Sequence, residues 1–187
     1  MVAVTAGCAD DVSPAARIGD VTVGNDALLE EVAQWAGSPT LLSALQIPTT
    51  DGEAPGSYST AFVDFVLTNR VGFEVHNAKF DDLGLELSDQ DINDVRTGLF
   101  NDPAATEAVF KELSGPFGEQ LVADVARQFA VRQTLGDGYD AWLQKAYGEV
   151  DIDINPRYGS WDGQTGQVTG PSGPTESTPT TLTPTGS

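Results

Sequence analysis

Cys8 is the single cysteine and His76 the single histidine of a 187-residue chain, and each is defined by what it lacks. A thiolate nucleophile needs a base or a cation beside it, and nothing around His76 in the run FEVHNAKF is arranged to serve as one. One cysteine makes no internal disulfide, and one cysteine with one histidine builds no ordinary structural zinc site. Asp151 to Asn155 reads DIDIN, the first five positions of a calcium loop, but Pro156 replaces the glycine that the turn needs and no glutamate follows at the twelfth position. A strand with alternating faces accounts for the same letters. The pairs Glu30-Glu31 and Asp81-Asp82 read as solvated helix faces. The sequence shows no phosphate-binding glycine loop, metal-ligand cluster or nucleophile elbow. The expectation is therefore no catalytic residue, no metal and no cofactor, with apolar surface as the working part.

Charge narrows the partners. Twenty-eight acidic against nine basic residues give a formal charge of -19, which repels phosphate backbones and anionic headgroups, so nucleic acid is not expected as a partner. Length and an apolar content of 40% suit one core. No run of eighteen apolar residues occurs, so no membrane-spanning helix is expected. Met1 to Gly7 is apolar to small and uncharged, and reads as the last part of a signal segment.

The elements that must carry any apolar site are mostly helical. In DALLEEVAQWA, with Asn25 as N-cap, Leu28, Leu29, Val32 and Trp35 fall on one face. The preceding ARIGDVTVG reads as a short strand. Pro48 to Ser57 is a loop, and Ser59 to Leu83 a long helix apolar on most sides, hence central. Gly84 stops it, and Ser88 with Asp91 opens the next helix in a capping-box-like start. Asp102-Pro103 opens a helix carrying Val109, Phe110 and Leu113. After Gly115-Pro116 comes the stripe Phe117, Leu121, Val125, Phe129, and after Gly136 a helix carrying Tyr139, Trp142, Leu143, Ala146 and Tyr147. EVDIDIN alternates and reads as a strand with Val150, Ile152 and Ile154 inward. Single strands leave backbone groups unpaired, so the one before the first helix and the one after the last should pair. The fold class expected is mainly α: an array of five to six helices closed by a small two-stranded antiparallel ribbon of the N- and C-terminal strands. From Gly163 to Ser187 the chain is rich in Ser, Thr, Pro and Gly with one charge, Glu176, and is expected to be disordered.

That order resembles the N-terminal chaperone domain of the SurA and PrsA family of extracytoplasmic foldases. The resemblance rests on ARIGDVTVGNDALLEEV, then on Ala78 to Ile92 (AKFDDLGLELSDQDI), which follows the family phrase A-x-x-x-G-(I/L)-x-(V/L)-(S/T)-D-x-(E/D)-(I/V) with one extra residue before Gly84, and on a downstream helical pair. Val150 to Asp162 (VDIDINPRYGSWD) is similar to an ending found in lipoproteins of this type. The family's parvulin-type prolyl isomerase domain has no counterpart: the chain has one histidine, no G-G-D-L-G phrase and no unassigned stretch long enough. Within the same resemblance, Thr5-Ala6-Gly7-Cys8-Ala9 is similar to a lipobox, which would make Cys8 a lipidation site followed by an acidic tether.

What the resemblance implies is an ATP-independent, membrane-anchored lipoprotein on the outer face of the cell membrane that binds unfolded or nascent secreted polypeptides. Its segments would be residues 1-14 as signal remnant, lipobox and tether, 15-162 as chaperone domain, and 163-187 as tail. Phe62, Phe73 and Phe117 are the expected client-binding residues, and Arg157 with Tyr158 should lock the ribbon to the helices. Two alternatives stay open: a peptidyl-prolyl isomerase by family association, and a structural or docking envelope lipoprotein.

Overall fold

The computed structural model describes residues 13–47, 50–52, 54, 57–100, 102–113 and 115–170. Within them the chain is mainly α, with a small antiparallel sheet formed by strands from its two ends.

The chain enters as a hairpin, β1 (Ala16–Ile18) and β2 (Val21–Val23), where a single strand was expected. Gly19 at φ +55° takes the first central position of the two-residue turn, a conformation that costs other residues. After the last helix β3 (Ile152–Ile154) pairs antiparallel with β1, Arg17 opposite Asp153, giving the order β2-β1-β3. The expected ribbon is thus present, with β2 added to it.

The helices follow local signals closely. α1 (Asn25–Ala36) buries Leu28, Val32 and Trp35, but Leu29 turns outward. Gly24, not Asn25, is its N-cap; the Asn25 side chain is drawn off to donate to the Ser13 carbonyl at 3.0 Å. α2 (Pro39–Ala44) is a helix that the sequence reading lacks, begun by Ser38, whose Oγ accepts from Leu41 N, and by Pro39 at the first turn. α3 (Thr60–Phe80) starts at Ser59, whose hydroxyl accepts from Phe62 N. A 3-10 turn, Asp81–Leu83, closes it, and Gly84 at φ +65° ends the run. α4 (Asp89–Gly98) carries the capping box of Ser88 and Asp91. In α5 (Pro103–Glu112) the Asp102 carboxylate accepts from Ala104 N and Ala105 N. α6 (Pro116–Leu135) and α7 (Tyr139–Glu149) complete seven α-helices among the described residues. None of these helices is long and apolar enough to cross a membrane.

α3 is apolar around its circumference because it is packed around its circumference: α1, α6 and α7 lie against it. α4 packs on α6, α5 on α4, and α5 also meets α2. The main core gathers Ile18, Leu28, Val32, Phe62, Val66, Leu67, Val71, Val75, Val109 and Leu113.

The domain boundary expected at residue 163 is corrected. β4 (Ser160–Asp162) and β5 (Gln167–Thr169) form a second hairpin that packs on α3, and the described fold continues to Gly170. One apolar residue in a polar run anchors it: Val168 is buried in the core, and its N–H donates to Thr68 Oγ1 at 2.9 Å. Trp161 meets Tyr147 edge-on, ring centroids 5.1 Å apart.

Candidate functional site

The three phenylalanines expected to face a client part company. Phe62 is 2% exposed and Phe73 6% exposed, both within the main core. Neither can touch a partner without unfolding α3, so both are withdrawn as binding residues. They lie on a helix covered on every side, where aromatic content marks burial alone. Phe117, at the start of α6, is half-buried and lines a surface cleft. Arg157 stacks over the Tyr158 ring at 5.1 Å, and Tyr158 packs against the core. Cys8 lies outside the described residues.

One concavity lies among α4, α5 and α6. A cleft of about 500 Å³ opens between α4, α5 and the first turns of α6. Phe110, Leu113 and Val122 supply its apolar side, Pro103 its end, and Glu107 with the Arg96–Glu119 ion pair its rim. Its shape comes from a close approach: a Cβ built on Gly118 would stand 1.7 Å from the Leu113 carbonyl oxygen, so only glycine lets α6 start this near the end of α5. Further along α6, Phe129 is 45% exposed and lines a second groove of about 350 Å³ with Val95, Ala126 and Ala130, bordered by Asp91 and Asp94.

These lining residues had a sequence signal of limited reach. Thr106 and Val109 of α5 and its C-cap Leu113 are buried; Phe110, one step off that face, is only partly buried, against the cluster of Val95, Val122 and Ala126. The positions on α6 at Val122 and Phe129 are seven apart and share a stripe, yet the first is buried and the second is not.

Polar chemistry is held elsewhere, in closed arrangements. His76 is fully buried. Its Nδ1 lies 2.7 Å from the Gly72 carbonyl, which can only accept, so Nδ1 carries the hydrogen and Nε2 accepts from the Tyr139 hydroxyl at 3.0 Å. Burial, the largest influence, holds the imidazole pKa below its ordinary value, and Arg132 pushes in the same direction. The Arg132 guanidinium lies 4.6 Å from the Tyr139 ring centroid. Burial pushes the Tyr147 phenol up to about 12. Between α3 and α6 the buried Asp124 accepts from Asn77 at 3.0 Å and Gln120 at 2.9 Å, with Arg127 at 3.4 Å. His76, Tyr139 and Asp124 are thus hydrogen-bonded within the fold.

One ionised set is less complete. Arg70 makes a close contact with Glu74 at 2.7 Å and reaches Glu31 only at 3.9 Å. Burial raises the pKa of Glu31, and Arg70 opposes that shift without cancelling it. Among the described residues no three histidine, cysteine, aspartate or glutamate side chains are grouped to hold a metal ion. Comparison with family models, curated proteins and solved structures yields no match for this chain.

Proposed function

We propose that the protein binds unfolded secreted polypeptides without ATP and without covalent chemistry, in the manner of an extracytoplasmic chaperone tethered through a lipid on Cys8. The observation that carries the binding part is the α4–α5–α6 cleft: an open concavity with a charged rim, where the partly exposed Phe110 presents apolar surface over a floor of the buried Leu113 and Val122. Binding there would come from burying client side chains, at about 25 cal/mol per Å² less the cost of ordering both partners, which gives weak and promiscuous affinity. The exposed Phe129 extends the apolar surface along α6. A chain charge of -19 favours clients rich in lysine and arginine and keeps client-loaded complexes apart. The tether rests on the lipobox-like Thr5 to Ala9.

Phe110 is the residue to change. The expected result is that the full chain, in stoichiometric excess, slows aggregation of several unrelated unfolded proteins, and that Phe110→Glu loses this while keeping its helical circular dichroism. Equal suppression by both chains would remove the cleft from the account.

A further inference from the structure

The turn at Gly19-Asp20 sets the phase of β2. Ile18 and Val21 close it, so the hydrogen-bonded pairs are Ile18 with Val21 and Ala16 with Val23, and Thr22 stands in the intervening pair with its N–H and C=O turned away from β1. The opposite side of β1 agrees: Gly19 N donates to Asp151 O and Asn155 N to Ala15 O on the β3 side, while Ala15 N turns to Val23 O on the β2 side. β2 is the outer strand of its sheet and among the described residues pairs with β1 alone, so no strand lies beside the outward Thr22 amide and carbonyl. Edge strands are commonly blunted by lysine, proline or a bulge. Val21-Thr22-Val23 has none of these, and Val21 and Thr22 are exposed.

Beside this edge lies a cleft of about 220 Å³ that Thr22 shares with Glu30, Glu31, Gln34, Arg70 and Phe117. Its charge is unbalanced. Glu31, with its side chain 11% exposed, meets Arg70 only at 3.9 Å, because the near contact goes to Glu74; two carboxylates, Glu31 and Glu74, share one guanidinium, and Glu30 adds a third negative charge to the cleft lining.

We propose that this edge and cleft bind an extended basic peptide strand, which pairs with Thr22 and lays an arginine or lysine against Glu30, Glu31 and the Phe117 ring. An added strand gains main-chain hydrogen bonds that are indifferent to sequence, and the cleft supplies the preference for a cation, through charge and through the aromatic face. Charge also selects among occupants. A second copy of the chain brings another -19 to the same place and is repelled, whereas a cationic strand is drawn in. The site is separate from the α4–α5–α6 cleft and does not depend on it.

The test uses the full chain and a short blocked, dye-labelled peptide alternating arginine with valine, read by fluorescence anisotropy. Saturable binding that weakens as salt is raised is expected. Thr22→Pro removes the outward donor at an edge position where proline is tolerated, and should weaken binding about tenfold. Glu30→Gln with Glu31→Gln should weaken it and flatten the salt dependence. In the unaltered chain, hydrogen exchange at the Thr22 amide should slow when the peptide is present, a readout that needs no variant to fold. The proposal is overturned by absence of saturable binding, by unchanged Thr22 exchange, or by equal binding of a peptide with glutamate for arginine. A dimer of the free chain broken by Thr22→Pro would equally overturn it, assigning the edge to a second copy.

Discussion

The Ser38 hydroxyl donates to Glu112 Oε2 at 2.6 Å, joining residues 74 positions apart. Thr40 adds its N–H to the same oxygen at 3.1 Å and its hydroxyl to Oε1 at 2.7 Å. The last residue of α5 therefore sits on the first turn of α2, where a carboxylate also meets the free N–H groups of the helix start.

That latch sets the first expectation. Ser38 is fully buried, so Glu112→Ala strands its hydroxyl and should lower stability by about 1–3 kcal/mol in urea unfolding. The hydrogen bonds from Ser38, then Thr40, hold the Glu112 pKa below its ordinary value of 4.5. Its contribution is thus present above that value and is lost as pH falls through the lower folded value. The drop in stability on acidification should be shallower in Glu112→Ala.

His76 gives an expectation at higher pH. Its folded pKa lies below the ordinary 6.5, so the unfolded chain binds the proton more readily, and stability should fall as pH drops from 6.5 toward the folded value and stay level above 6.5. Glu31 acts in the opposite sense, contributing stability at low pH that is lost as pH rises through its raised folded value. The difference in slope between the chain and His76→Gln isolates the imidazole. Tyr139→Phe removes the donor to Nε2 and should cost about 1 kcal/mol.

Two glycines should respond with opposite signs. Gly118→Ala drives a methyl group into the Leu113 carbonyl and forces α5 and α6 apart, at about 1–3 kcal/mol. Gly148, inside α7 with nothing within 4 Å of a built Cβ, should gain about 0.4–1 kcal/mol as alanine. Paired thermal melts of the two variants check both.

Where sequence reading succeeded, the signal was local. The capping box of α4 and the Asp102-Pro103 start of α5 involve side chains and backbone within three residues of each other. The pairing of β1 with β3 was legible too, since two unpaired strands had few other partners. What stayed hidden depends on distant chain. Asn25 carries a good capping side chain that Ser13 diverts. Val168 stands alone in a polar run, and its burial is decided by Thr68 and the groove on α3. Phe62 and Phe73 cannot be told from Phe110 by residue type; α3 is enclosed by its neighbours and the outer face of α5 is not. Arg70 with Glu74 is readable as a helical pair at i, i+4, but the shortfall at Glu31 comes from how α1 packs on α3.

The proposed function turns on where an unfolded chain touches this one. An isotope-labelled sample of the full chain, titrated with a permanently unfolded polypeptide and followed by amide NMR, should show shifts at Phe110 and at the rim residues Glu107 and Glu119 that saturate. Phe62 and Phe73 should stay unmoved in the core. Shifts confined to other surfaces, or no shifts at saturating polypeptide, would contradict the assignment of client binding to the α4–α5–α6 cleft.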